Sequence, residues 1–184
     1  FYINELFSWK DINLTLIIAA HLGTLFAVIN YFWEDFKKYF LLGPLEIFVK
    51  KKTSNFNLFL NLICGSIPIV ILGGFLKFYK INYIYHSWII ACSAIIFSLL
   101  LFFSDKNKTT KELNDISFKD SFIIGVFQIF ALIPGASRAG LCITAARFLG
   151  FNRICAAKYS MYLSIPAISG AAFLMFFEII KQNS

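Results

Sequence analysis

The sequence predicts an all-α polytopic membrane protein, with about four transmembrane helices and one re-entrant helical hairpin in a single integral-membrane domain, residues 1–184. Three observations predict this class. The chain is 59% hydrophobic and only 15% charged, whereas a soluble domain is about half apolar and a quarter charged. Phenylalanine occurs 23 times among the 184 residues, which suits a surface that faces lipid. Apolar stretches of membrane-spanning length also alternate with lysine-rich segments.

Four apolar stretches are long enough to cross a hydrocarbon core: residues 13–33, 56–78, 87–103 and 159–180. His21 lies in the first of them. It is interpreted as a hydrogen-bonded interior residue or one near the membrane surface, and alternatively as a polar group that faces a substrate cavity. A connection with an amphipathic middle, residues 36–48, separates the first two stretches. The Gly73-Gly74 pair in the second stretch is predicted to permit close approach of another helix.

The distribution of the lysines predicts how these stretches are oriented in the membrane. Five lysines lie in residues 34–55, two in the short turn at residues 77–86 and four in residues 104–120, so the positive-inside rule places the first and third of these connections in the cytoplasm. The formal charge of +7 therefore reflects cytoplasmic loops and not nucleic-acid binding. The four cysteines show no metal or disulfide spacing, and Cys155 is predicted to lie in a short connection with Arg153.

A re-entrant hairpin is predicted at about residues 121–150. Its first half, residues 121–133, is apolar but too short to span a membrane, and the second half is shorter still. Pro134 ends the first half because it lacks an N–H and restricts the preceding residue. Gly135 permits a backbone turn that a side chain would block. Irregular backbone at membrane depth is tolerated only against protein or a water-filled cavity.

The second half of the hairpin begins with an arrangement suited to an anion. Ser137 is predicted to cap this half-helix, so that the free N–H groups of Arg138, Ala139 and Gly140 point into the membrane interior. A helix N-terminus beside an arginine is suited to phosphate. Ala139 and Gly140 leave room for a bulky head group. Ser137 and Thr144 are seven residues apart, which predicts that both hydroxyls line one pocket.

Two other interpretations of this stretch stay open on the residues alone. The first is a Pro-Gly kink between packed helices, with Arg138 extending to the membrane surface. The second is a constriction in a pore or transporter. The sequence contains no nucleotide-binding P-loop and no H-E-x-x-H motif. It also contains no pair of carboxylates within an apolar stretch to hold a metal or orient water.

These residues resemble the bacterial undecaprenyl-diphosphate phosphatase family, also called bacitracin-resistance proteins. The family pattern is Pro-Gly-x-Ser-Arg-Ser-x-x-Thr, preceded by a glutamine and an Ala-Leu pair. The residues that match it are Gln128, Ala131, Leu132, Pro134, Gly135, Ser137 and Arg138. The likeness extends to His21-Leu22-Gly23-Thr24 and Ser164-Ile165-Pro166. Ala139 departs from the pattern where the family has its second serine, and Cys142 where it has threonine.

The resemblance implies hydrolysis of undecaprenyl diphosphate in the bacterial plasma membrane, which recycles the lipid carrier of cell-wall synthesis. By that resemblance, Arg138 grips the diphosphate, and Ser137 donates to it or takes part in phosphoryl transfer. The residues assigned to substrate binding are Gly135, Ala136, Ala139, Gly140, Gln128 and Thr144, with Gln128 expected to orient the loop. The alternative function is a transporter or lipid flippase that binds an anion with broken half-helices.

The resemblance also implies partners that this sequence does not itself explain. A divalent cation, Mg²⁺ or Ca²⁺, assists the family, but no residue of this chain is assigned as its ligand. The family's first re-entrant motif, with its glutamates, serines and histidine, precedes the first stretch matched here. The sequence is therefore expected to be a fragment that holds half of a site, with His21 not equivalent to that motif's histidine. A homodimer is one option for its assembly.

Overall fold

The computed structural model describes residues 14–49, 53–78, 86–108 and 110–182, with side chains described over 19–46, 53–76, 86–108 and 110–173. Within these ranges the regular structure is helical, apart from one isolated bridge between Lys111 and Phe151. Two of the helices are long and apolar enough to cross a membrane, over Ser54–Leu76 and Ser87–Asp105. The predicted class of helical membrane protein is supported, and in the part of the chain that the structure describes these two helices correspond to the second and third predicted spans.

Eight α-helices follow one another in the described part of the chain: α1 (Leu14–Tyr31), α2 (Trp33–Phe36), α3 (Gly43–Val49), α4 (Ser54–Phe78), α5 (Ser87–Asp105), α6 (Phe118–Ile129), α7 (Arg138–Phe148) and α8 (Arg153–Gln182). A π-helical stretch, Lys37–Leu42, joins α2 to α3, so the amphipathic middle of the predicted connection, residues 36–48, is helical. Short 3₁₀ turns at Leu113–Asp115 and Phe130–Leu132 flank α6.

Side-chain caps fix where the later helices begin. Ser117 starts α6 with a capping box, in which its hydroxyl accepts from the Asp120 N–H and the Asp120 carboxylate accepts from the Ser117 N–H. Asn152 accepts from the N–H of Cys155 at 2.8 Å and so starts α8. The prediction that Cys155 lies in a connection is therefore wrong, because α8 begins at Arg153 and continues through Pro166.

The hairpin helices α6 and α7 pack against α4, α5 and α8. A close contact joins α4 and α6 at Gly65 and Gly125, where a Cβ atom on Gly125 would lie 2.3 Å from the Gly65 carbonyl oxygen. The Tyr159 hydroxyl of α8 contacts both helices, with the Ser121 hydroxyl at 2.9 Å and the Asn61 carbonyl at 3.2 Å. These contacts hold the first half of the hairpin against the long helices.

Close helix approach was predicted at a different glycine pair. A Cβ atom on Gly74 would meet nothing within 4 Å, and one on Gly73 would meet only the Leu132 side chain at 3.8 Å. The prediction of a close helix contact there is wrong. These two glycines instead line an open space between helices, while Gly65 and Gly125 make the close contact.

Replacing Gly125 with alanine is expected to lower the free energy of unfolding by about 1–3 kcal/mol, because the added methyl group overpacks the contact between α4 and α6. The colliding atom belongs to the Gly65 backbone, so no side chain can turn away to relieve the clash. Chemical unfolding of the purified protein in detergent measures the effect.

Gly23→Ala is the matched control for this substitution, because a Cβ atom there would meet nothing within 4 Å. Alanine is favoured over glycine within a helix by about 0.5–1 kcal/mol, so this variant is expected to be neutral or stabilised. Equal stability of the two variants would contradict the close contact between α4 and α6.

Candidate functional site

The turn of the hairpin has the backbone that its glycine predicted. Gly135 has φ +90°, a conformation that L side chains rarely adopt. A Cβ atom there would lie 2.4 Å from the Ile90 carbonyl oxygen and 2.5 Å from the Ser93 hydroxyl. Both the backbone angle and the approach of α5 therefore require glycine at this position.

Helix α5 supports the turn through Ser93, a residue that the sequence analysis did not single out. Its hydroxyl is positioned to donate to the carbonyl of Pro134 or to the carbonyl of Ile90 in its own helix. Ser93 is buried within a helix of mostly exposed apolar side chains. The sequence signal that could have identified Ser93 is a serine within an apolar helix. That signal does not reveal its partner, because Pro134 lies 41 residues away.

Ser137 caps α7 as predicted. Its hydroxyl accepts a hydrogen bond from the N–H of Gly140 at 3.2 Å, and its carbonyl accepts from the N–H of Leu141 at 2.9 Å. The Gly140 N–H is therefore not free, contrary to expectation. Within the described ranges, the N–H groups of Arg138 and Ala139 have no protein partner and remain as first-turn donors.

Arg138 lines a cavity of about 340 Å³ that lies between α1, α4 and α8. Apolar side chains and glycines form most of its wall, and the remaining polar side chain is that of His21 in α1. The Arg138 guanidinium donates to the carbonyl of Leu163 at 3.5 Å, a long contact. Among the described residues no carboxylate lies within 4 Å of it. The cavity thus holds a cation without an acidic partner in this part of the chain.

Neither Ser137 nor Thr144 lines this cavity. Thr144 is 1% exposed, and its hydroxyl donates to the carbonyl of Gly140 at 2.7 Å. The expected common face fails because Ser137 is the N-cap, with φ −72° and ψ 118°, and so lies outside the helical repeat. The spacing of seven residues positions side chains only when both residues are helical.

Gln128 also lies away from the cavity. Its side chain is fully buried between the two halves of the hairpin, where its carbonyl oxygen accepts from the Cys142 thiol at 3.4 Å. Cys142, one of the two departures from the family pattern, thus still donates a hydrogen bond, although a weak one. This pair connects α6 to α7 and does not line the cavity.

The small residues of the turn serve its packing. Ala136 donates its N–H to the carbonyl of Ile133 at 3.1 Å, and the Ala139 carbonyl accepts from the Ser160 hydroxyl at 3.2 Å. A Cβ atom on Gly140 would lie 3.3 Å from the Cβ of Ser137, so glycine fits beneath the cap. Of the eight residues assigned to the site from the sequence, Arg138 is the one that lines the cavity.

The far end of α7 is fixed by Arg147. Its side chain is buried and donates to the carbonyls of Asp105 at 2.7 Å, Phe151 at 3.1 Å and Asn107 at 3.2 Å. The Asp105 carboxylate lies 3.2 Å from the Arg147 Nε and also accepts from Arg153. Both ends of α7 are therefore connected to α5 or the segment that follows it.

A divalent cation has no visible ligand set in this part of the protein. The described residues contain no group of three or more His, Cys, Asp or Glu side chains that could hold a metal ion. The residues around Arg138 offer hydroxyl, backbone and cationic groups, which suit an anion better than a cation.

Known proteins match this chain along most of its length. A family model described as bacitracin resistance protein BacA matches residues 2–184. Proteins named undecaprenyl-diphosphatase are similar to it: 36% identical over 167 residues in Aliivibrio salmonicida, 35% over 180 in Alteromonas mediterranea and 38% over 176 in Jannaschia sp.. These alignments cover 90%, 97% and 93% of this chain, but 62%, 68% and 65% of the three relatives. The chain thus spans about two thirds of their length.

Proposed function

Because the chain belongs to the bacitracin resistance protein BacA family, we propose that this protein hydrolyses undecaprenyl diphosphate to undecaprenyl phosphate and inorganic phosphate. The observation that carries the proposal is the position of Arg138, which begins α7 and lines a largely apolar cavity. The name shared by the similar proteins supports the same reaction. That name also favours hydrolysis over the alternative of a transporter or flippase.

In this proposal the start of α7 binds the diphosphate. Arg138 has five N–H donors in a planar fork, which matches phosphate oxygens in a bidentate contact. The N–H groups of Arg138 and Ala139 add the partial positive charge of a helix N-terminus. Charge that develops on the transferred phosphoryl group would be stabilised by these fixed donors.

The Ser137 hydroxyl can also donate a hydrogen bond to the diphosphate. Its oxygen accepts from the Gly140 N–H, which leaves its own O–H to donate to a phosphate oxygen. The capping bond also fixes the side-chain rotamer, so the hydroxyl loses little freedom when a ligand binds. The proposal assigns Ser137 to binding of the diphosphate or to phosphoryl transfer.

The rest of the chain supplies a membrane setting for this chemistry. The proposal keeps about four spans and a re-entrant hairpin, with the lysine-rich loops in the cytoplasm of a bacterial cell. Exposed aromatic side chains such as Phe26 and Phe173 give a surface suited to lipid and to the polyprenyl tail. The divalent cation belongs to the proposal through the family, with ligands outside the described residues. A homodimer is compatible with it.

Phosphate release from undecaprenyl diphosphate tests the function directly. The purified full-length protein in detergent micelles is expected to release inorganic phosphate and leave undecaprenyl phosphate, identified by mass spectrometry. Undecaprenyl phosphate offered as substrate is the control, and it is expected to release none, because the reaction breaks an anhydride bond. Transfer of intact undecaprenyl diphosphate across vesicles without phosphate release would instead support the transporter.

A further inference from the structure

The cavity beside Arg138 is lined by a second polar side chain, that of His21, to which the proposed reaction assigns no role. His21 lies in α1, far from Arg138 in sequence, and the fold brings both side chains to the wall of one cavity. The rest of the wall consists of Leu132 and of aliphatic or glycine residues from α4 and α8. A polar residue placed among such neighbours in a membrane helix usually has a functional partner.

The space beside these two side chains is kept open by small residues. A Cβ atom on Gly74 would meet nothing within 4 Å, and one on Gly170 would meet only the Val70 side chain at 4.0 Å. Both glycines line the same cavity. The wall between α4 and α8 therefore leaves space for a ligand group next to the polar pair.

The negative charge of a diphosphate is expected to require more than one hydrogen-bond donor in the cavity. A phosphate monoester carries about −1.5 to −2 at pH 7, whereas Arg138 supplies a single positive charge among the described lining residues. An anion taken out of water is costly unless further hydrogen bonds compensate it. An imidazole offers an N–H donor in its neutral form and two such donors when protonated.

We propose that His21 is a second binding residue for the diphosphate head group, which contacts it together with Arg138 across the cavity. The inference rests on the proposed function, because it names a further contact for the same substrate. Arg138 and His21 come from separate helices, so a bound head group would connect α1 to the start of α7. The apolar wall between them would contact the first isoprene units.

Steady-state kinetics with undecaprenyl diphosphate test this role. His21→Ala is expected to raise KM roughly tenfold, the effect of losing one hydrogen bond to a charged group, with kcat within about twofold of the wild type. His21→Gln retains an N–H donor and is expected to recover most of the affinity. A change in kcat with KM unaltered would overturn the binding role.

Two further measurements separate a binding role from a structural one. His86→Ala is the matched control, since His86 is exposed before α5 and does not line the cavity; its kinetics are expected to equal the wild type. If His21→Gln binds as poorly as His21→Ala and both melt at a lower temperature, His21 is structural and the inference fails. An unchanged KM in His21→Ala, with an active wild type, overturns this inference alone. A wild type that releases no phosphate overturns the proposed function itself.

Discussion

Replacing Arg138 with alanine is expected to lower the rate of phosphate release from undecaprenyl diphosphate by roughly 10²–10³-fold, the usual cost of removing one preorganised donor to developing charge. The guanidinium is half-buried beside an apolar wall, where an electrostatic contact is stronger than in water. Arg138→Lys keeps the charge but loses the planar fork. We therefore expect an intermediate rate for the lysine variant, with kcat reduced more than KM is raised.

Arg153→Ala is the matched control for loss of an arginine. The Arg153 side chain is 74% exposed and pairs with the Asp105 carboxylate at 2.6 Å, away from the cavity. An exposed ion pair is worth about 0–1 kcal/mol of stability, and its loss is expected to leave the rate of phosphate release nearly unchanged. Equal rates for Arg138→Ala and the wild type would remove Arg138 from the active site.

The features of the hairpin that depend on neighbouring residues could be predicted from the sequence. Pro134 and Gly135 mark the break because their effects on the backbone are local. Ser137 begins the second half-helix for a similar reason, since an N-cap bonds to an N–H three residues ahead. The helical membrane class also followed from composition, which needs no knowledge of packing.

The contacts that support the turn could not be predicted, because they come from distant helices. Ser93 meets Pro134 only when α5 lies against the hairpin, and nothing in either local sequence encodes that arrangement. Gln128 and Thr144 were assigned to the ligand from the family pattern and from spacing. Their burial depends on which face of each helix meets the core, and polar residues face inward here to bond across or within the hairpin.

The cavity could be predicted only in part from the sequence. Arg138 and His21 were both recognised as unusual polar residues in apolar sequence, but their convergence on one cavity is a result of the tertiary fold. The Gly73-Gly74 pair was predicted to make a close helix contact, but it lines the cavity. In a sequence, a glycine pair that packs against a helix cannot be distinguished from one that leaves space for a ligand. Distinguishing the two requires the position of the neighbouring helix.

Replacing Gly135 with alanine is expected to lower the rate of phosphate release about 100-fold, because a displacement of roughly 1 Å in a binding loop has an effect of that size. Part of the cost is the left-handed backbone, which is unfavourable for alanine by about 1–2 kcal/mol. The larger part is the collision with the Ile90 carbonyl at 2.4 Å, which α5 cannot avoid without moving. The turn would shift, and the start of α7 with Arg138 would shift with it.

Gly150→Ala separates these two causes. Gly150 has φ +93°, nearly the same as Gly135, but a Cβ atom there would meet nothing closer than the Lys111 side chain at 3.8 Å. Both variants therefore carry the backbone strain, of about 1–2 kcal/mol, and only Gly135→Ala carries the collision. We expect Gly150→Ala to lose stability in chemical unfolding while it releases phosphate at nearly the wild-type rate. If both variants lost activity equally, backbone strain alone would account for the requirement for glycine, and the contact between α5 and the turn would not position Arg138.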